Sequence, residues 1–299
     1  MKTLLPLIIS ILILSCSGSK KVVQKSEQAI VNIQKSESQE TDTITLKKLD
    51  NIAPKKEETP KPIVEEVVKA KDSSLTETIP AINDTVIFTH SIWAELLTKY
   101  VSDKGIVNYK GFKQDKKSLK KYLDQLSNNL PDQDWNKSKK LAYWMNAYNA
   151  FTVKLIIDHY PVQSIKDIKD PWDARFFKLG KKWYNLNEIE HKILRKMGEP
   201  KIHFGINCAS YSCPKLSNKA FTEQNVNKEL QKLAIHFIND PNKNTITPTK
   251  VQLSKIFSWF GKDFKTEGTL IDSLNQYSEI KIKPNAIKNF KKYNWNLNE

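Results

Sequence analysis

Apolar residues recur at intervals of three and four in several segments of the chain, and this spacing predicts helices. Helices are expected from Ser91 onward, over residues 116–127 and over residues 225–237. The most regular segment is residues 138–160, which is apolar on more than one side. A helix with that pattern is buried all round, so we expect it to lie at the centre of the fold.

Short alternating stretches predict a small amount of sheet. Hairpins are expected over residues 176–186, around Gly180, and over residues 246–253. Residues 202–208 also alternate like a strand. Asn187 and Glu190 have the spacing of a capping box, which predicts a helix to about residue 196.

A final helix is expected near residues 284–292. The predicted fold class is therefore α+β: a helix-rich single globular domain with a small sheet and a central buried helix at about residues 138–160.

The first 87 residues follow a different pattern. Lys2 precedes an apolar run over residues 4–14, which is shorter than the roughly 20 residues that cross a bilayer. We interpret residues 1–15 as a lipoprotein signal peptide, because the Leu-Ser-Cys ending at Cys16 resembles a bacterial lipobox. An ordinary secretory signal with an incidental cysteine is the alternative.

Lipidation of Cys16 would make the membrane a partner of the chain. Ser17 after the cysteine resembles the pattern of lipoproteins sent to the outer membrane. We therefore expect an outer-membrane protein that faces the periplasm, with exposure at the cell surface as the alternative.

Aromatic residues separate the predicted linker from the predicted domain. None of the Trp, Tyr and Phe residues lies before Phe88. A segment without large apolar side chains buries too little surface to offset its conformational entropy. We therefore expect residues 16–87 to be a lipidated cysteine and a disordered linker, and residues 88–299 to be the globular domain.

The net charge of +15 is concentrated in that domain. Residues 88–299 contain 36 basic and 21 acidic residues, and all the basic residues of the chain except Arg175 and Arg195 are lysines. Base reading in nucleic acids favours the arginine fork, so nucleic acid is not an expected partner. A lysine-rich surface instead predicts attraction to anionic envelope polymers or lipid headgroups.

A hydrophobic content of 39% excludes a multi-span membrane protein.

Residues that carry chemistry cluster between positions 190 and 214. The candidates are Glu190, His191, His203, Asn207, Cys208 and Cys213. Two amides, Asn146 and Asn149, lie three residues apart in the predicted central helix. Buried amides need partners, so these two either bond nearby backbone or take part in a site.

Four interpretations of the cysteines stay open. A thiol enzyme would use Cys208 as nucleophile, an upstream histidine as base, and Glu190 or Asn207 to orient the histidine. An oxidising compartment favours a disulfide between Cys208 and Cys213. A zinc site would use both cysteines with the two upstream histidines. Strand alternation would bury Cys208 and leave two inert thiols.

Several co-linear motifs resemble one family. They are LAYWMNAYNA at residues 141–150, LNEIEH at 186–191, HFGINC at 203–208 and SCP at 212–214. Together they resemble the family called domain of unknown function 547. The resemblance extends over about residues 91–264 and implies a shared fold, but no activity.

Two functional hypotheses follow. The first is a cell-envelope binding or scaffold module with a basic surface. The second is a Cys-His hydrolase or acyltransferase that acts on envelope peptide or ester bonds. The candidate catalytic residues are Cys208, His203, His191 and Glu190, and the candidate binding residues are Asn146, Asn149 and Asn207. No cofactor or metal is assigned.

Overall fold

The computed structural model describes residues 88–299. The predicted signal peptide, the predicted lipidation site Cys16 and the predicted linker lie outside the described residues. None of the helices within 88–299 is both long enough and apolar enough to cross a membrane.

Four helices begin the described part of the chain. They are α1 (Ser91–Tyr100), α2 (Tyr109–Gln114), α3 (Lys116–Asn128) and α4 (Lys137–His159). The predictions for α1, α3 and α4 are confirmed. The α4 helix begins where the side chain of Asn136 accepts the N–H of Lys139 at 3.0 Å. Of its 23 residues 16 are buried, so α4 is the central helix that the periodicity predicts.

A hairpin follows α4, as predicted. It consists of β1 (Phe177–Leu179) and β2 (Lys182–Tyr184), with Leu179 opposite Lys182. Gly180 adopts a left-handed φ of +59° in the turn, a conformation that glycine adopts without steric cost.

Residues 188–197 are helical but irregular. A π-helical turn, Glu188–Ile193, leads into a 3-10 turn, Leu194–Met197. The predicted capping box at Asn187 is wrong, because that side chain donates to Asp173 instead. The cap comes from Asn185, whose side-chain oxygen accepts the N–H of Glu188 at 2.8 Å.

The remaining elements complete a mixed α+β architecture. They are α5 (Ile202–Gly205), α6 (Val226–Asn239), β3 (Thr245–Ile246), β4 (Lys250–Leu253), α7 (Ile256–Trp259), α8 (Leu270–Asn275) and β5 (Ile287–Phe290). The second sheet has the order β3-β4-β5, with β4 antiparallel to β3 and parallel to β5. The α+β prediction is confirmed.

Two element predictions in this half are wrong. Residues 202–205 form one helical turn instead of a strand. All four residues are buried, and alternation indicates a strand only where one face of the segment is exposed. Residues 287–290 form a strand instead of a helix. They are exposed, and pairing of their backbone with β4 decides their conformation.

One hydrophobic core surrounds α4. This helix packs against α2, α3, α6 and the irregular segment 188–197. Aromatic side chains fill much of the core, as in the stacked pair of Trp93 and Tyr122 with ring centroids 5.7 Å apart. The fold therefore brings the irregular segment, the end of α5 and the chain after it into contact with the central helix.

Candidate functional site

The loop over residues 206–214 carries both cysteines, and the central helix fixes where it begins. Asn149 on α4 donates to the carbonyl of Gly205 and accepts the N–H of Asn207, both at 2.9 Å. The side chain of Asn207 then donates to the carbonyl of Pro214 at 2.7 Å, near the loop's end. Two buried amides thus set the start and the closure of the loop.

The C-terminal segment, residues 293–299, also bonds this loop. The N–H groups of Tyr211 and Ser212 donate to the carbonyls of Asn296 and Asn294 at 2.7 and 3.1 Å. Because these bonds fix the end of the chain, Tyr293 lies beside the cysteines.

The two sulfur atoms lie 2.8 Å apart as free thiols. The backbone N–H of Cys208 donates to the sulfur of Cys213 at 3.1 Å. The hydroxyl of Ser210 lies 3.1 Å from the Cys208 sulfur, and the hydroxyl of Tyr293 lies 3.5 Å from it. A compact group of two thiols and two hydroxyls results.

These contacts place the negative charge of the thiol pair on Cys213. Burial disfavours its thiolate, but hydrogen bonds from the Cys208 thiol, Tyr293, the Cys208 N–H and Ser210 outweigh burial and lower its pKa to about 6. The hydrogen bond to Cys213, together with burial, raises the pKa of Cys208 well above its usual range. The pair therefore shares one proton near neutral pH.

Glu190 is a buried carboxyl in the π-helical turn. The hydroxyl of Tyr148 on α4 donates to its Oε2 atom at 3.1 Å. Burial disfavours the charged form and raises the pKa of Glu190 to about 7, although the bond from Tyr148 acts in the opposite direction. At neutral pH this carboxyl is protonated in a large fraction of molecules.

A charged network includes His191, the residue that follows Glu190 in the sequence. The guanidinium of Arg195 binds the carboxylate of Asp263 in a bidentate pair, at 2.6 and 2.8 Å. His203 Nε2 lies 2.8 Å from the same carboxylate. Arg195 also donates to His191 Nδ1 at 3.1 Å. Because a guanidinium only donates, Nδ1 is the acceptor and neutral His191 carries its proton on Nε2.

The network shifts the pKa values of its members in opposite directions. Hydrogen bonds from His203 and then Arg195 hold the pKa of Asp263 well below its usual range. Burial lowers the pKa of His203, although Asp263 favours its charged form. Burial and then the charge of Arg195 lower the pKa of His191. At neutral pH the described network is one ion pair flanked by two neutral imidazoles.

Several of these groups line a cavity of about 220 Å³. Its polar lining residues are Asn187, Glu190, His191, His203, Cys208 and Cys213. Its aromatic lining residues are Tyr148, Trp172, Trp259, Phe260, Tyr293 and Trp295. A concave site with aromatic walls and a few convergent polar groups of perturbed pKa is the usual form of a ligand or active site.

The structure brings together all four residues predicted to be catalytic. Glu190, His191, His203 and Cys208 line this cavity. The three predicted binding amides do not. Asn146 bonds the backbone of Phe221 through both amide atoms, at 2.7 and 3.1 Å, as Asn149 bonds its own two partners.

Asn207 lines a larger groove of about 880 Å³. This groove shares Cys213 and Pro214 with the cavity. The loop that carries the cysteines therefore contributes to the walls of two concave surfaces.

The predicted burial of Cys208 on a strand face is wrong. The segment before it is helical, and Cys208 is half-buried at the cavity. The described groups within hydrogen-bond distance of its sulfur belong to Ser210, Cys213 and Tyr293, and no histidine is among them. The two histidines bond Arg195 and Asp263 instead.

The zinc interpretation finds no support in the described part of the chain. Within residues 88–299 no group of three or more His, Cys, Asp or Glu side chains is arranged to hold a metal ion.

The sequence pattern does not indicate the residues that orient the side chains of the site. Asp263 lies 60 residues after His203, and Tyr293 lies 85 residues after Cys208. Neither residue belongs to a local motif that points to a site. Trp295 likewise shows only as an apolar position in the sequence. Only contacts in space join these residues to the site: Asp263 bonds His203 on α5, and the C-terminal segment bonds the cysteine loop.

Residues 133–238 match a family model described as "Protein of unknown function, DUF547". This match supports the resemblance over the part of the chain that contains α4, Glu190, both histidines of the network and both cysteines. Asp263, Tyr293 and the two C-terminal tryptophans lie beyond the matched residues. No curated protein and no solved structure shows a significant match to the chain.

Proposed function

We propose that this chain is an exported lipoprotein whose folded domain binds an anionic, sugar-containing polymer of the cell envelope in the cavity. Cys16 carries the lipid, and residues 17–87 tether the domain to the outer membrane. The short apolar run, the cysteine at its end and the following Ser17 support this part of the proposal.

The aromatic wall of the cavity carries the binding proposal. Trp259, Tyr293 and Trp295 form this wall, with ring centroids 4.5 to 5.7 Å apart. Trp259 is 45% exposed although it is a large apolar residue. Flat aromatic faces with a wet edge suit the apolar face of a sugar ring, whose hydroxyl groups stay near water.

Other residues that line the cavity supply hydrogen-bonding groups. Protonated Glu190 has a proton to donate, and neutral His191 presents one donor and one acceptor nitrogen, of which Arg195 already occupies the acceptor. Both groups therefore offer donors to a ligand whose hydroxyl oxygens accept hydrogen bonds. The cavity therefore matches a sugar better than a hydrocarbon chain.

Charge favours an acidic polymer over a neutral one. The domain carries 36 basic and 21 acidic residues, so it attracts polyanions at long range. Lys166 lies at the wall itself, with its Nζ atom 5.5 Å from the ring centroid of Trp295. An anionic group on a sugar stacked against the wall would lie near this lysine.

Binding to isolated peptidoglycan sacculi tests the proposal. We expect the full chain to co-sediment with sacculi, and the bound fraction to decline as salt rises. Trp259→Ala should weaken binding at least about fivefold, since stacking on one aromatic ring contributes on the order of 1 kcal/mol or more.

The chain offers a matched control for this variant. Trp183 on β2 is 48% exposed and lies outside the cavity, so Trp183→Ala removes an equally exposed tryptophan. Equal losses for the two variants would show that the cavity is not the site. Binding to vesicles that contain phosphatidylglycerol, without binding to sacculi, would instead assign the basic surface to lipid headgroups.

Lipidation is tested separately. Metabolic labelling with an alkyne fatty acid should mark the wild-type chain and leave Cys16→Ser unlabelled. Labelling of the variant, or release of the wild type as a soluble periplasmic protein, would contradict the anchor.

A thiol hydrolase or acyltransferase acting on envelope ester or peptide bonds is the second candidate. The observation that favours it is that two thiols and the buried carboxyl of Glu190, whose pKa is raised to about 7, line the same cavity, where hydrogen bonds favour the charged form of Cys213. Such a carboxyl can protonate a leaving group near neutral pH. This candidate predicts ester hydrolysis, for instance of para-nitrophenyl acetate, that is lost in both Cys208→Ser and Cys213→Ser.

A further inference from the structure

We propose that Cys208 and Cys213 form a redox-active dithiol pair that undergoes thiol–disulfide exchange with disulfides entering the cavity. Cys208 is the attacking thiol and Cys213 is the resolving thiol. The inference does not depend on the identity of the ligand proposed above.

The distance between the sulfur atoms is the first observation. They lie 2.8 Å apart, so a disulfide bond of about 2.05 Å requires them to approach by less than 1 Å. A hydrolase needs one nucleophilic sulfur, and a second thiol in contact would compete for each acyl intermediate. Two thiols in contact are what disulfide exchange requires.

The loop holds this arrangement without a bond between the sulfurs. Asn149 and Asn207 fix its ends, and the C-terminal segment bonds Tyr211 and Ser212. A disulfide would close only the short loop between the two cysteines, where cross-linking has the smallest effect on chain entropy. A bond between the two sulfurs is therefore not needed to shape the loop. We explain the short distance between the two thiols by their chemistry instead.

Exposure assigns the two roles. Cys208 is half-buried and lines the cavity, so an incoming disulfide reaches its sulfur first. Cys213 is buried, and its sulfur accepts the N–H of Cys208, which favours negative charge there. Ser210 and Tyr293 place two more hydroxyl groups against the pair. Because the two thiols share one proton, its transfer from Cys208 to Cys213 gives the Cys208 thiolate, which is the form that attacks, and Cys213 later gives the proton away.

The exchange balances in two steps. The Cys208 sulfur attacks one sulfur of an external disulfide R–S–S–R′, its proton passes to the Cys213 thiolate, and R′S⁻ leaves. Cys213 then gives this proton to R′S⁻ and attacks the Cys208 sulfur, which breaks the mixed disulfide and releases RS⁻. Two electrons pass from the cysteines to the external disulfide, and a dithiol reductant reverses the reaction.

The natural tryptic fragment of the loop gives a direct assay. Both cysteines lie between Lys201 and Lys215, so one peptide, residues 202–215, reports on the pair and Cys16 falls in another. The full chain in detergent is equilibrated with buffers that differ in the ratio of reduced to oxidised glutathione. It is then quenched in acid, alkylated and digested with trypsin, and the mass of the peptide is measured by mass spectrometry. We expect one transition between a doubly alkylated peptide and a peptide with an internal disulfide, reversed by dithiothreitol.

Two variants separate the roles of the cysteines. In Cys213→Ser a glutathione adduct should accumulate on Cys208, because no thiol resolves it. In Cys208→Ser the adduct on Cys213 should form at least about tenfold more slowly. Circular dichroism of each variant checks that it folds.

Three results would overturn the inference, and the first two need no variant. They are a peptide that stays doubly alkylated under oxidised glutathione, an internal disulfide that native protein keeps under dithiothreitol, and equal adduct rates at the two cysteines. Because none of these readouts involves sacculi, loss of redox activity and loss of polymer binding are distinguishable.

Discussion

Replacement of Glu190 by glutamine should stabilise the protein at neutral and alkaline pH. The carboxyl is 7% exposed and has a pKa of about 7, against 4.5 for an unperturbed glutamate. Each tenfold difference in proton affinity between the folded and unfolded states corresponds to about 1.36 kcal/mol. The cost of burying the charged form is therefore about 3 kcal/mol.

The pH at which this cost appears follows from the two pKa values. Below 4.5 both states are protonated, and Glu190 does not penalise folding. Between 4.5 and 7 the unfolded state loses its proton first, so stability declines as pH rises. Above 7 the cost is constant. Glutamine resembles the protonated carboxyl and still offers Tyr148 an oxygen to bond.

Urea unfolding of wild type and Glu190→Gln from pH 4 to pH 8.5 measures the effect. We expect nearly equal free energies of unfolding at pH 4 and an advantage of about 3 kcal/mol for the variant at pH 8. Glu95→Gln, on an exposed position of α1, removes the same charge without burial and serves as the control. A variant that is no more stable than wild type at pH 8 would refute the reasoning.

Four further predictions concern the site and its supports. Asp263→Asn should cost about 1–3 kcal/mol at pH 7 by breaking a partly exposed ion-pair network. Because the folded pKa of Asp263 is lowered, this loss should shrink as pH falls below about 4, and a pH-independent loss in urea unfolding would contradict it. Asn149→Leu leaves a buried N–H and a buried carbonyl unpaired, so unfolding should become easier by about 2–4 kcal/mol; an unchanged midpoint would argue against this support. Gly205→Ala places a Cβ 2.1 Å from Met145 Cε, so the melting temperature should drop by several degrees, for a cost of about 1–3 kcal/mol. Iodoacetamide labelling of Cys208 in the 202–215 peptide should persist below the midpoint of about 8.5 that ordinary thiols show, because the charged form of Cys213 takes up the Cys208 proton; a labelling midpoint near 8.5 would contradict this.

The helices are the elements that hydrophobic periodicity predicts correctly. The predicted centre at residues 138–160 is α4, and the predicted helices before and after it are α1, α3 and α6. These segments have one or more buried faces, and the burial of a face imposes a spacing on the sequence. The first hairpin was also predictable, because Gly180 marks its turn.

The wrong predictions arise where that relation fails. The α5 turn is buried on every side, so the alternation of its residues does not separate a buried face from an exposed one. The β5 strand is exposed, and a hydrogen-bond partner far along the chain decides its conformation. The cap at Asn185 is a local hydrogen bond that competes with the expected capping box at Asn187. Each outcome depends on a neighbour that periodicity does not register.

The candidate site was also predictable only in part: its residues were, but their convergence was not. The sequence alone pointed to Glu190, His191, His203 and Cys208, because groups of this chemistry are close together in one short stretch. It left open whether they converge, since four interpretations of the cysteines were consistent with the spacing.

The tertiary structure alone decided which partners these residues have. Asp263 binds His203, and Tyr293 meets Cys208, across 60 and 85 residues of chain. Helical and strand periodicity arises from contacts between near neighbours and the core, so it is written into the sequence locally. The pKa of a side chain and the partner of a thiol depend on which distant segments pack against them. Those distances exist only once the turn at Asp263 has packed beside α5 and the C-terminal segment has packed against the loop.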